Sequence, residues 1–516
     1  MSGGFAAYIT EQRVAAQLCK EVGKYIFRPS GRAMPAHVSG LYQLLPPRRL
    51  WANLSPEQRH DSPSERSALR RLQGIVLRHL RHRSSYTYLA RLTAFAASLQ
   101  AIAQHPDSYS FPLPTVKAKI KKQTPAAIVC RPICAYHDLT AKILTALMAD
   151  YLKSWLDPML HYTNMAYRAP REWEGQPSVV TSNVQAVDLL LRWRAAHDSR
   201  SIYIAECDIC KFFDTIDHDD VIDALRQMMQ RCGLHDPSFF ELFTRFIHSF
   251  DFRRDVMACN SRADYWRSQF GDEADNHSYR FDWIEQPPAQ PVGIPQGVAL
   301  SPLIANMLLN IIDEQTLGDR LSCGRVTDQR LLYVRYCDDI LIAHEDADAC
   351  ACILQAYCHT LDQHHLRYHP LQSVAGMKNG LSLKRDAGRH YLFWDAKSKL
   401  PYLWGEGAGN AARWIGFLGY EVSRDGQIRL RKSSVANQAE KIVKRAMRIR
   451  SGEQHLQADM IQRFARQPIG GSRIDRLSNI TDPTPFNQQR NKLVRLKARK
   501  LRTLGGYSGD AEAEKG

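Results

Sequence analysis

Two adjacent carboxylates, Asp338 and Asp339, interrupt the apolar, β-prone run 331–345 (LLYVRYCDDILIAHE). Burying neighbouring anions costs several kcal/mol unless a cation compensates. A metal ion or a basic partner is the chemistry this pair implies; an acidic tip on a surface hairpin is the alternative. A third carboxylate, Asp208, ends the strand-like run 201–207 just before Phe212-Phe213. Cys207 and Cys210 flank it as a CxxC that also suits zinc, although no second ligand pair follows at finger spacing. Upstream, Lys117, Lys119, Lys121 and Lys122 precede Arg131-Pro132-Ile133. A basic hairpin followed by a fixed Arg suits a triphosphate, whose charges must be neutralised while it still exchanges.

The elements that position these groups follow from residue pattern. Leu331, Leu332 and Val334 on one side of the acidic pair and Ile340, Leu341 and Ile342 on the other predict two strands, with Tyr336-Cys337-Asp338-Asp339 at their turn. The cluster 217–220 predicts a helix start, where carboxylates are favoured. Gly293-Ile294-Pro295-Gln296-Gly297 predicts an exposed backbone turn, then Ser301 as N-cap with Pro302 at the first helical position, and Ile304, Leu308 and Ile311 as a buried stripe. Segments 262–292 and 381–414 predict insertions, the second with aromatic hairpin character. Residues 347–361 predict a helix, and 414–430 a hairpin turning at Asp425-Gly426. Residues 434–450 predict an amphipathic helix with Ile442, Val443, Ala446 and Ile449 on one face and Lys441, Lys444, Arg445 and Arg448 on the other, and 490–502 a second basic helix. Residues 64–104 are helical in pattern and carry Arg70, Arg71, Arg78, Arg81 and Arg83, either as a solvated face or as a phosphate-contacting one.

The chain has 516 residues, 44% of them hydrophobic, enough for a substantial core and two to four domains. Its 69 Lys and Arg exceed 53 Asp and Glu, a formal charge of +16 that points to a polyanion, nucleic acid before membrane surface. Residues 431–503 hold 18 basic and 5 acidic residues, so most of the excess lies there. Twelve cysteines behind an N-terminus without a signal-peptide pattern predict reduced thiols and a cytoplasmic protein. No apolar run approaches the roughly 20 residues that cross a bilayer.

Taken in order, six segments resemble those of a bacterial reverse transcriptase. They are Arg131-Pro132-Ile133, Tyr167-Arg168-Ala169-Pro170, the run from Asp208 through Phe212-Phe213-Asp214, Pro295-Gln296-Gly297, Tyr336-Cys337-Asp338-Asp339, and Phe417-Leu418-Gly419-Tyr420. The resemblance spans residues 110–450. It implies an α+β right-hand polymerase with fingers, a palm built on an antiparallel sheet and a helical thumb. The corresponding divisions are an N-terminal helical extension to 105, fingers and palm over 106–430, a basic thumb and C-terminal extension over 431–505, and a disordered tail over 506–516.

The resemblance further implies two Mg²⁺ ions held by Asp208, Asp338 and Asp339, with the Ile209 carbonyl as an added ligand. Arg131 and Lys119 would hold the deoxynucleoside triphosphate, Gln296 would line the nascent pair, and Phe213 would block a ribose 2′ hydroxyl. Lys378 stands where relatives carry a lysine that protonates the leaving group, in a segment that fits their pattern only loosely. Phe417 and Gly419 would grip the primer, and Lys441, Lys444 and Arg448 would follow the duplex. The expected partners are an RNA template and its DNA product, with no membrane; self-association stays open. No cysteine follows Leu430, unlike group II intron enzymes with a Cys/His nuclease, and the chain exceeds the usual retron length. The resemblance is strongest to standalone defence-associated enzymes that act with a structured non-coding RNA. A catalytically silent RNA-binding module on the same fold is the alternative of another class.

Overall fold

The computed structural model describes residues 4–24, 37–52, 62–124, 126–173, 175–283, 290–374, 396–405, 410–451, 460–462, 464–465, 477 and 479–504. Two compact units are interleaved along the chain. One contains Met1–Ala169, Ile209–Gly318 and Tyr357–Tyr368, and the other Pro170–Asp208, Asp319–Ala356 and His369–Gly516. Lys378 and the tail 506–516 lie outside the described residues, as does most of 381–414.

The second unit is built on a sheet whose strands run in the order Leu371–Gln372, Ser398–Trp404, Tyr203–Asp208, Asp339–His344, Leu331–Tyr336, with Ala411–Ala412 added to Ser398–Trp404. The two central pairings and that of Ser398–Trp404 with Tyr203–Asp208 are antiparallel. Leu332, Val334, Ile340 and Ile342 are buried, as their β-branched and aliphatic types favour. The aromatic hairpin expected within 381–414 is corrected where the chain is described: Ser398–Trp404 is a sheet strand beside Tyr203–Asp208. Residues 414–430 also form more than one hairpin. Trp414–Phe417, Tyr420–Ser423 and Ile428–Leu430 make a three-stranded meander, turning at Leu418-Gly419 as well as near Gly426.

Beyond the meander, the Lys432–Arg450 helix buries Ile442, Ala446 and Ile449, which form one cluster with Phe464 and with Leu493 and Leu501 of the Thr484–Arg502 helix. Each such side chain contributes about 1.5–3 kcal/mol when fully buried. Lys441, Lys444 and Arg448 remain exposed on the opposite face. The second basic helix is less uniformly solvated than its pattern suggests: Lys497 donates to the Ala465 carbonyl at 2.7 Å and lies over the Phe464 ring.

In the first unit, Thr115–Gln123 pairs antiparallel with Ile128–Ala135, which pairs parallel with Tyr279–Phe281. The insertion expected at 262–292 is thus largely folded. Its Ala263–Phe270 helix brings Trp266 to 5.1 Å from Phe281, and Phe270 stacks on Tyr279 at 4.2 Å. The Ser301–Leu317 helix begins one residue earlier than predicted: Leu300 is the N-cap and the Ser301 hydroxyl donates to the Pro295 carbonyl at 2.8 Å. Ile304, Leu308 and Ile311 are buried. Arg168 is a structural clasp: its buried guanidinium pairs with Asp157 at 3.0 Å and donates to the carbonyls of Asp157, His161 and Asn164.

Candidate active site

The turn carrying the acidic pair is set by local geometry. Tyr336 and Asp339 are register partners, leaving Cys337 and Asp338 as a two-residue loop. Cys337 sits at φ 57°, and the buried Arg335 guanidinium donates to its carbonyl at 3.1 Å. This turn lifts Asp338 to the hairpin tip and starts the next strand at Asp339. That strand pairs with Tyr203–Asp208 so that Asp339 lies directly opposite Asp208. Side chains opposite each other on an antiparallel pair stand about 5 Å apart, and like charges there are destabilising.

The electrostatics register this crowding. Asp339 is accessible from a cleft yet closely surrounded by protein, and burial, then Asp338 and Asp208, push its carboxyl up to about 7. Arg431 and Lys397 pull in the opposite direction. The Lys397 ammonium pairs with Asp208, and His369 Nε2 stands 3.6 Å from the same carboxylate. The Asp208 N–H donates to Ser398 Oγ at 3.0 Å. Beneath the strand ends, Lys399 pairs with Glu206 at 2.6 Å and Tyr402 donates to the other Glu206 oxygen at 3.0 Å, a buried trio with its charges compensated.

The three carboxylates open on a cleft of about 830 Å³ whose wall includes Asn183, Phe417, Gly419 and Arg431. Leu418 and Gly419 have φ of 49° and 87°, the left-handed region that favours glycine at the second position. Arg431 donates to the Gly416 carbonyl at 2.7 Å, and a Cβ on Gly416 would meet its guanidinium at 2.5 Å. The backbone thus leaves Arg431 space beside the acidic cluster. Neither Arg431 nor Lys397 is distinguished by the sequence pattern. Lys397 precedes a strand containing Lys399 and Pro401, and Arg431 reads as one more cation of the basic region.

Three hard carboxylate oxygen donors, two of them directly opposed, suit divalent cations of the Mg²⁺ type. Among the described residues no three His, Cys, Asp or Glu side chains already converge on one ion, at this cluster or at the Cys207/Cys210 pair. No disulfide joins the twelve cysteines. The Ile209 side chain is buried, and its backbone forms an isolated antiparallel bridge with Tyr368.

The first unit gathers a second constellation. Lys119 and Arg131 are register partners on neighbouring strands and both are exposed, so two cations face the same side, an arrangement that an anion relieves. Gln296 Nε2 donates to Asp214 Oδ1 at 2.5 Å, and the Gln296 carbonyl accepts from the Cys134 N–H at 2.6 Å. Gly297, at φ 109°, lies so near that a Cβ would meet the Cys134 carbonyl oxygen at 2.9 Å. The Gln296 amide is therefore already engaged by a carboxylate. Phe213, half-buried, packs edge-on against Phe212 at 5.5 Å, and its carbonyl accepts from Ile294. Asp217 caps the next helix by accepting from Asp219 and Asp220 N–H groups, as the acidic cluster predicts.

Burial raises Asp214 to about 6, opposed by Gln296, Lys211, Lys121 and Arg131. A carboxyl whose folded value is raised favours folding most when protonated, so its contribution is present below pH 4 and lost as pH rises through 6. Asp214→Asn should therefore stabilise the protein at pH 8 by about 1–2 kcal/mol, with the gain fading towards pH 4. Urea midpoints at the two pH values measure it; an equal effect at both would mean that ionisation is not the cause.

Residues 120–422 match the family model described as reverse transcriptase (RNA-dependent DNA polymerase). No curated protein matches the sequence. Among solved structures, telomerase from Candida albicans in complex with a fragment of telomeric RNA aligns at 10% identity and TM-score 0.38, covering 91% of this chain and 72% of that one. Apo telomerase from Candida tropicalis aligns at 9% identity and TM-score 0.35, covering 81% and 68%. No helix among the described residues is long and apolar enough to cross a membrane. With well over half its length matched by the family model, and an α+β fold to go with it, the chain belongs to the reverse transcriptase family of RNA-directed DNA polymerases.

Proposed function

We propose that the chain copies a resident structured RNA into DNA by two-metal nucleotidyl transfer at Asp208, Asp338 and Asp339, in bacterial defence against phage. The observation that carries the catalytic part is the direct opposition of Asp339 and Asp208 with Asp338 at the adjoining turn. Two Mg²⁺ ions, when bound, would lower the pKa of a primer 3′ hydroxyl and stabilise the leaving pyrophosphate. Asp208, Asp338 and Asp339 would hold the ions, and the Ile209 carbonyl would add a ligand. Lys397 holds the charge of Asp208 and would yield that oxygen to the incoming cation.

Arg131 and Lys119 bind the triphosphate, which relieves the repulsion between their like charges. Gln296 shapes the nascent-pair pocket through its backbone and its bond to Asp214. Lys378 keeps the role of proton donor to the leaving group. Phe417 and Gly419 position the primer end, and Lys441, Lys444 and Arg448 follow the duplex. Phe213 excludes the ribose 2′ hydroxyl. Phe213→Ala should accordingly raise incorporation of ribonucleotides relative to deoxyribonucleotides by roughly tenfold, the worth of one steric contact of about 1.4 kcal/mol. An unmoved ratio in competition assays would leave Phe213 as packing only.

The defence reading is supported by helical segments on both sides of the matched region. Group II intron and retron enzymes are the competing readings within the family. Sequencing the RNA and DNA that co-purify from a bacterial host, alongside phage plating with the wild type and an Asp338→Asn/Asp339→Asn variant, tests it. One abundant non-coding RNA, its complementary DNA and carboxylate-dependent protection are expected. Intron RNA, a branched RNA–DNA product or indifferent plating would overturn the defence assignment.

A further inference from the structure

The N-terminal helices, outside the matched region, carry a cleft that the polymerase chemistry does not use. It encloses about 580 Å³ between the end of the Ser62–Arg81 helix, the start of the Thr87–Gln104 helix and Glu11. At its centre Tyr86 is 51% exposed although it is a large aromatic side chain. His79 stacks on it with ring centroids 4.3 Å apart and planes 27° from parallel. His79 is in turn fixed by the buried Tyr88, whose hydroxyl lies 2.6 Å from Nδ1. Burial, then Arg78 and His82, lower the His79 pKa, which favours the neutral ring. Tyr86 is thus a pre-ordered aromatic platform with one side covered by the His79 ring and much of the rest open.

Arg83 lines the cleft, and Arg78 lies near enough to His79 to lower its pKa. Arg78, Arg81, His82 and Arg83 are exposed, and no carboxylate pairs with the three arginines among the described residues. Arg83 also occupies an unfavourable place. The Ser84 N–H donates to the His79 carbonyl and the Arg83 N–H to that of Leu80, a helix-ending motif whose left-handed position is normally glycine. Here Arg83 takes it at φ 46° and lines the cleft. The backbone accepts strain to put a guanidinium there, which a simple helix stop does not require.

We propose that this cleft is a binding subsite for single-stranded RNA, with a nucleobase stacked on Tyr86 and the adjoining phosphates neutralised by Arg78 and Arg83. Stacking accepts any base because every base offers a flat π face, and the arginines supply affinity without sequence choice. An acidic peptide would satisfy the arginines and leave the ordered ring pair without a purpose; RNA uses both. Glu11, held by the Thr93 hydroxyl at 2.6 Å, repels phosphate and can accept from a base amino group, which marks its end of the cleft for base edges. The choice of RNA over DNA rests on family membership, since the polyanion that this polymerase must retain before any product exists is its template.

The test uses the full chain freed of nucleic acid and a labelled 12-nucleotide RNA lacking secondary structure. Tyr86→Ala should weaken binding by roughly 5- to 100-fold and Tyr86→Phe by less than about twofold, as expected for loss or retention of one stacked base. R78Q/R83Q should flatten the log–log salt dependence by about 1.4. 5-Iodouridine in the RNA should photo-cross-link to the peptide containing Tyr86. Extension of a DNA-primed RNA template at saturation should be unchanged in all three variants. Unaltered binding by Tyr86→Ala, or cross-links confined to other peptides, would overturn the subsite; tighter binding of DNA of the same sequence would overturn its assignment to RNA. A wild type that fails to extend primers while its RNA binding still depends on Tyr86 would instead count against the proposed catalytic site alone.

Discussion

Replacing Asp338 and Asp339 together by asparagine should lower Mg²⁺-dependent DNA synthesis at least about a thousandfold, equivalent to roughly 4 kcal/mol of transition-state stabilisation. The expectation follows from position. Asp338 is lifted to the tip of the hairpin by the left-handed Cys337, and Asp339 faces Asp208 across the strand pair, so the substitutions remove two of the three carboxylates on the cleft. Asparagine keeps the shape of each side chain but binds a divalent cation far less tightly. The fold should not suffer: with Asp339 held up to about 7 by burial and two neighbouring carboxylates, neutralising it relieves repulsion. Thermal melting should therefore be unchanged or slightly raised, and RNA affinity should stay within about threefold because phosphate contacts lie on other residues. Primer extension, melting and filter binding on the same preparations measure all three. Undiminished synthesis by the variant would refute the metal assignment, and loss of melting cooperativity would make the activity loss uninformative about metal.

Neutralising Lys441, Lys444 and Arg448 should weaken binding to unrelated duplexes by about a hundredfold near 0.1 M salt and flatten the salt dependence by two to three in log–log slope. All three are exposed on the face of the Lys432–Arg450 helix opposite Ile442, Ala446 and Ile449. Lys444 already pairs with Glu440 at 2.6 Å, both well exposed, and such a surface pair is worth under about 1 kcal/mol, which places the slope change nearer two. The loss should be similar for every duplex sequence, since backbone contacts do not read bases. Fluorescence anisotropy across a salt series measures it. An unchanged slope would leave the charge of this helix without a nucleic-acid role.

The hairpin around Asp338 was legible because runs rich in aliphatic and β-branched residues flank the tetrapeptide 336–339, and both sides proved buried. The helix with Lys441, Lys444 and Arg448 was legible for the same reason at a different period. Ser398–Trp404 was not. Its SKLPYLW sequence holds a lysine and a proline, each arguing against a strand bonded on both sides. The sheet accommodates them by tertiary means: Glu206 on the neighbouring strand neutralises Lys399, and the register shifts between Lys399 and Tyr402, around Pro401. Only pairing across nearly 200 residues supplies that compensation. Lys397 and Arg431 escaped notice for a related reason, since their significance lies in which carboxylates they approach. Gln296 shows the converse: its place in Pro295-Gln296-Gly297 marked it, yet only the structure shows its amide bound to Asp214.

The cleft beside Asp208, Asp338 and Asp339 is proposed to add deoxynucleotides as an RNA strand directs. Single-nucleotide extension by the nucleic-acid-free wild type, on four DNA-primed RNA templates differing only in the templating base, tests it most directly. Each template should take the complementary deoxynucleotide, in the presence of Mg²⁺ and not of a chelator. No extension on any template, or the same nucleotide added whatever the templating base, would contradict it.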